Sequence, residues 1–339
     1  MSIPPEVLFD RFFREFRQEL GGDYQGRFNL EALESPEDRQ LLARLQTGLN
    51  YALSNEREVP EHKEHPPFYV DFIASKIPNA LAFRYEMYSF IGITVPLIEK
   101  MLETCTQLSR SHAIVSVIGV SSEAGDGLRV ILFRMLLFFV VTHEYTHHVH
   151  GHFFSTALDS RPISEVLSDG ECGSLEGQIR EAAADAYAAF HIMANWLDGV
   201  ERTPAIDLLK LQASTVTMQD EALFSCFVVA VGGYMLLRPP PTLSGDSVYK
   251  LQHPPQAARM DSLMQAAVGW CSQYRPVLQA WMTNARFLML MNTVAEVIWA
   301  SHGEWNRQWA EQMDFLRSLE GAAYLHALRT GLDRYRASL

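Results

Sequence analysis

The sequence predicts a mainly helical α+β fold, in which a small sheet packs on one buried helix and helical regions precede and follow that core. Four short runs rich in β-branched and aromatic residues lie close together between positions 68 and 120. Runs of that length bounded by polar turns read as strands. Two apolar runs, 128–142 and 222–237, are too long for strands and apolar on nearly every face, so they read as buried helices. With 339 residues, 48% of them hydrophobic and 20% charged, the chain can enclose a sizeable core.

Taken in order, Pro4 to Leu20 and Pro36 to Ser54 have the spacing of amphipathic helices, separated by a turn at Gly21-Gly22 and followed by a polar linker, Asn55 to Pro67. Residues 1–67 are therefore expected to form an N-terminal helical cap. Strands are expected at Phe68 to Ile73, Ala80 to Tyr85, Tyr88 to Val95 and Ala113 to Val120. LRVILFRMLLFFVVT, Leu128 to Thr142, then gives the buried helix, and Gly151 offers its stop. The apolar run Ala222 to Leu237 falls short of the roughly 20 residues that span a bilayer, contains Gly232-Gly233 and ends at Arg238 and three prolines. It reads as a second buried helix, and membrane contact is not favoured. Beyond Arg259 the pattern is helical again, with Pro276 breaking the run Met264 to Trp281 and a further helix over Arg286 to Ala300. Trp270, Trp281, Trp299, Trp305 and Trp309 are expected to pack in the core. The boundaries drawn are a cap at 1–67, a core at 68–262 and a C-terminal helical region at 263–339 packed on that core.

Composition excludes some partners. The net charge is -12 and the basic residues are scattered, so the electrostatic footprint of a nucleic-acid binder or a polybasic membrane anchor is missing. Cys105, Cys172, Cys226 and Cys271 are far apart with no Cys-x-x-Cys, and MSIPPEVLFDRFFREF lacks the pattern of a signal peptide. Reduced thiols and a cytoplasmic location are the expectation.

The chemistry begins at Val141-Thr142-His143-Glu144-Tyr145-Thr146-His147, a His-Glu-x-x-His at the end of the first apolar run. Residues four apart share a helix face, so His143 and His147 can present their imidazoles to one metal ion while Glu144 lies beside it as a base. Neutral imidazoles suit Zn²⁺, and a zinc site with an open position activates water for attack on amides. Without a metal, the same spacing would describe a buried helix whose histidines satisfy local hydrogen bonds. A third ligand has to come from elsewhere. Thirty-four positions after His147, in REAAADAYAAFH, Glu181 and Asp185 again stand four apart. One carboxylate can coordinate the ion while the other accepts the ring N–H of a ligating histidine and fixes its tautomer. The alanines around them allow close approach of the two helices. His148 and His150 are read as surface or supporting residues, and His152 has no assigned chemistry.

These segments resemble the gluzincin peptidases that include the heat-shock protease HtpX, the CAAX prenyl endopeptidases and the periplasmic protease BepA. HEYTHHVHGH (His143 to His152) looks like the family's extended zinc motif, with a further histidine at its tenth position. EAAADAYA (Glu181 to Ala188) is similar to its Glu-x-x-Ala-Asp segment, and HPPQAAR (His253 to Arg259) to its His-Pro segment followed by Arg. KIPNALAF (Lys76 to Phe83) and MYSFIGITVPLIEKM (Met87 to Met101) look like its Asn-Ala strand, returning strand and helix. The likeness runs over about residues 68 to 262. It departs at Asn79-Ala80-Leu81-Ala82-Phe83, where the family has Asn-Ala-Phe-Ala. It departs also in the polar interval STALDSRPISEVLSDGECGSLEGQ, which replaces the membrane helices of some members.

The resemblance implies a zincin-like core, a zinc ligand at Glu181, a supporting role for Asp185, and an active-site role for His253 with Arg259 beside it. His253 would either fill the open metal position or steady the reacting carbonyl. The expected activity is that of a zinc metalloendopeptidase with one Zn²⁺ per chain, acting on a peptide or unfolded protein segment, with Glu144 as general base. Two other readings stay open at this point. One is a catalytically silent zinc-containing regulatory or binding module, against which the intact Glu144 argues. The other is a repressor-cleaving type of gluzincin, against which HPPQAAR and the missing helix-turn-helix argue.

Overall fold

A computed structural model describes residues 3–18, 20, 22–56, 65–152, 163–164 and 173–338. Gly21 of the expected first turn, much of the linker 55–67, much of the polar loop 155–178 and Cys172 lie outside the described residues. The fold is mainly helical with one small, curled, mixed sheet. The chain forms two compact units, residues 1–100 with 144–168 and residues 101–143 with 169–339.

The first unit begins with α1, Pro5–Glu15, whose first-turn proline needs no hydrogen-bond partner. Leu8, Phe9, Phe12 and Phe13 recur at helical spacing and bury one face of α1. They join Tyr24, Ile73, Leu81, Phe83 and Phe90 in an aromatic-rich cluster, with the Phe12 and Phe83 rings stacked at 4.0 Å. Each such side chain contributes about 1.5–3 kcal/mol on burial. A short strand not foreseen from sequence, β1 (Tyr24–Arg27), follows, then α2 (Pro36–Glu56), β2 (Phe68–Ser75), β3 (Ala80–Tyr85) and β4 (Tyr88–Thr94). With β5 (Ile163–Ser164) the order across the sheet is β1-β2-β4-β3-β5. The β2–β4 pair is parallel and the others are antiparallel. Buried Asp71 on β2 accepts from Arg27 Nε at 2.6 Å and from the Tyr69 hydroxyl at 2.8 Å, which fastens β1 to its neighbour.

Helix α3 (Val95–Arg110) leads into the second unit, followed by α4 (His112–Ile118). The fourth strand expected at Ala113 to Val120 is thus a helix. Ser111 caps it by accepting from Ile114 N, Gly119 ends it at φ +81°, and Ile114, Val115 and Ile118 bury one face. These caps outweigh the β-branched composition. The long helix α5, Gly125–Val149, carries the apolar run and the whole His-Glu-x-x-His motif. Then come α6 (Leu175–Met193), a π-helical turn (Ala194–Asp198), α7 (Arg202–Leu208) and α8 (Val216–Met235).

Every residue of α8 from Ala222 to Met235 is buried, so the second apolar run is a core helix. No helix among the described residues is long and apolar enough to cross a membrane. The chain closes with α9 (Gln256–Tyr274), α10 (Pro276–Trp281), α11 (Asn284–Ile298), α12 (Gly303–Arg317) and α13 (Leu319–Arg336). Pro276 opens a new helix, as its position suggested. Of the five tryptophans expected in the core, Trp270, Trp299 and Trp309 are buried while Trp281 and Trp305 are only half-buried, and Trp299 donates its indole N–H to Leu236 O at 2.9 Å.

Candidate metal centre

Helix α5 holds the motif because its interior after Gly127 has neither glycine nor proline and every turn there buries apolar side chains. His143, Glu144 and His147 are each at most 1% exposed. The end of the helix is fastened within the first unit. Tyr145 packs on Phe68 with ring centres 4.9 Å apart, His148 Nε2 donates to Phe90 O at 2.9 Å, and Arg84 donates to His148 O at 3.2 Å. Burial pushes the His148 ring down to about 3, so it stays neutral and structural.

Helix α6 starts at Ser174, whose hydroxyl accepts from Gly177 N at 3.1 Å. Glu181 and Asp185 follow one turn apart, and both are buried among alanines. Gln178, on the same helix, donates to Val248 O and Leu251 O at 2.8 Å each and accepts from the Tyr324 hydroxyl at 2.6 Å. One side chain therefore ties α6 to α13 and to the segment that leads to His253.

Among the described residues, His143, His147 and Glu181 form a buried group whose ligand atoms all lie within 4.8 Å of one another. Such a group could hold a metal ion. The hydrogen bonds around it fit that use. Burial alone would raise the Asp185 carboxyl, but the Arg259 charge, its hydrogen bonds and the His143 ring outweigh burial and hold the acid below its ordinary range. Arg259 donates to both Asp185 oxygens, at 2.8 and 2.7 Å. An ionised carboxylate only accepts, so His143 Nδ1, 3.0 Å from Asp185, carries the proton and Nε2 carries a lone pair. Nε2 then faces Glu181 Oε2 at 3.3 Å. Two electron-rich atoms that close call for a proton or a cation between them, and two imidazoles with a carboxylate are a donor set suited to zinc.

The remaining residues named from sequence fall around this group. His253 is not a member of it and approaches through Glu181, its Nδ1 lying 3.1 Å from Oε2. The Nδ1–H donates to the carboxylate, and the ring's Nε2 is buried. Arg259 lies on Asp185. One contact had no reading in the sequence: His152 Nδ1 stands 2.7 Å from His147 Nδ1. The histidine at the tenth position of the motif was its only signal. No family model, no curated protein and no solved structure matched this chain.

Proposed function

We propose that this chain is a zinc-dependent endopeptidase with a zincin-like core, in which His143, His147 and Glu181 hold the ion and Glu144 is the general base. The observation that carries the reading is the buried His-His-Glu group with Glu144 on the same turn of α5. The likeness of the sequence segments quoted above to gluzincins supports it. Bound zinc would supply Lewis acidity, making water a nucleophile near neutral pH and polarising a peptide carbonyl. Glu144 takes the proton of the attacking water and passes it to the leaving amine. Asp185, kept ionised by Arg259, holds His143 in the tautomer whose Nε2 can coordinate. His253 steadies Glu181 through its Nδ1–H. The substrate is a peptide or unfolded segment, taken in extended form by backbone pairing.

The test is a peptide-library assay on the purified chain, with zinc measured on the same sample. Wild type contains about one zinc and cleaves, and chelation stops it. Glu144→Gln keeps its zinc and loses cleavage by roughly 10²- to 10⁴-fold, because an amide cannot accept the proton. Cleavage that survives complete removal of metal, or wild-type turnover in Glu144→Gln, would overturn the assignment.

A further inference from the structure

The two histidines of the proposed centre are supported by different chemistry. His143 donates its Nδ1 proton to the Asp185 carboxylate, the usual arrangement behind a ligating imidazole. At His147 the contact is of another kind. The His147 Nδ1 meets the Nδ1 of a second imidazole, His152, at 2.7 Å, with the two rings tilted 66° and their centres 4.8 Å apart. Both rings are buried.

The backbone puts His152 there deliberately. Helix α5 ends in a paired turn in which Gly151 N donates to His148 O at 3.2 Å and His152 N donates to His147 O at 3.1 Å. Gly151 occupies the left-handed region at φ +66°. This 6→1 and 5→2 pair is the Schellman stop, and it folds the residue after the glycine back over the last turn of the helix. The same carbonyl-to-amide bond that ends the helix thus sets the His152 side chain beside the ring of His147.

Two nitrogens 2.7 Å apart share one proton, so one ring donates and the other accepts. A metal taken through His147 Nε2 needs that nitrogen's lone pair. The single proton of the neutral ring then sits on Nδ1. His152 must present a bare Nδ1 and carry its own proton on Nε2. We propose that His152 is the positioning residue for His147: it accepts the Nδ1–H, fixes the ring's tautomer and rotation, and so presents Nε2 for metal binding. The proposal rests on the metal reading above and extends it to a residue that touches neither ion nor substrate. Its consequence is an asymmetric centre, with the Asp185 carboxylate behind His143 Nδ1 and a second imidazole behind His147 Nδ1.

The experiment measures Zn²⁺ affinity of the full chain by competition with a chromophoric chelator, and the visible spectrum of the Co²⁺-loaded chain. His152→Phe keeps a ring in the space but has no acceptor. It is expected to weaken Zn²⁺ binding by roughly 10- to 100-fold and to shift the Co²⁺ bands, while the metal-free chain unfolds at the wild-type temperature. His152→Asn places an amide oxygen near the lost Nδ1. It is expected to bind Zn²⁺ within about threefold of wild type and to restore the Co²⁺ spectrum. His152→Phe binding as tightly as wild type overturns the proposal, as does His152→Asn binding as weakly as His152→Phe. If His152→Phe fails to fold, the His152→Asn affinity and spectrum decide alone, wild-type values supporting the role and a loss of tenfold or more refuting it. A wild-type chain that takes up no Zn²⁺ overturns the metal centre along with this role. Wild-type uptake with an unaffected His152→Phe removes this role alone.

Discussion

Asp185 has no exposed surface, yet it is held ionised, and the partner responsible is Arg259, itself 1% exposed. A buried pair of this kind is costly to break from one side, because the charge left behind has neither water nor a counter-ion. Arg259→Met is therefore expected to lower the folding stability of the metal-free chain by about 3–5 kcal/mol, read as the urea unfolding free energy. The double variant Asp185→Asn/Arg259→Met should recover part of that loss. A single variant within about 1 kcal/mol of wild type would show that Asp185 does not depend on the guanidinium. The spacing of four that linked His143 to His147 and Glu181 to Asp185 was legible in the sequence because helix geometry makes it a local property. The partners of His253 and His152 were not. His253 meets Glu181 across 72 positions, and His152 reaches His147 only through the particular turn at Gly151.

At the scale of an element, the position of α5 depends on a glycine near its start. A Cβ built on Gly127 would stand 2.0 Å from Leu208 O, a backbone atom at the end of α7. Backbone cannot turn aside as a side chain can. Gly127→Ala is expected to destabilise the chain by about 1–3 kcal/mol through overpacking. Gly269, inside α9, has nothing within 4 Å of a built Cβ. Gly269→Ala should stabilise by about 0.5–1 kcal/mol, the ordinary helix gain. Thermal unfolding of the two variants side by side checks the opposed signs, and equal shifts would refute the close approach. The elements read well from sequence were those with a long, nearly unbroken apolar run, notably α5 and α8. Ala113 to Val120 misled because its β-branched residues argue for a strand, while the deciding signals are a serine before it and a glycine within it. The strand β1 has four residues, one of them Gly26. Its register comes from β2 and from the Arg27–Asp71 bond, neither of which a local pattern displays.

Over the whole molecule, the thiols report how completely the second unit excludes water. Cys105, Cys226 and Cys271 are free and buried. Burial pushes Cys105 up to about 12, and Cys271, with Asp220 nearby, also to about 12, while Cys226 moves upward by burial alone. Thiolate is the reactive form, so at pH 8 these sites hold almost none of it. Iodoacetamide at pH 8 is expected to leave all three unmodified in the native chain and to label all three in urea, as read by peptide mass spectrometry. Labelling of any of them in the native chain at the rate of an exposed cysteine would contradict the packing described. Four scattered cysteines in the sequence suggested reduced thiols; that three of them line the core depended on α3, α8 and α9, whose inward faces only the folded chain defines.

The packing of α8 also sets an order of events during synthesis. Gly232 leaves a hollow that Met291 enters, its sulfur 2.7 Å from where a Cβ would be, with Val294 beside it. Both residues belong to α11, which begins about 50 residues after α8 ends. At roughly 5–20 residues per second on the ribosome, the most apolar helix of the chain waits for several seconds before its cover exists. For that interval the nascent chain carries a sticky surface that the finished molecule never shows, and slower initiation or a holding chaperone would raise the yield of folded protein.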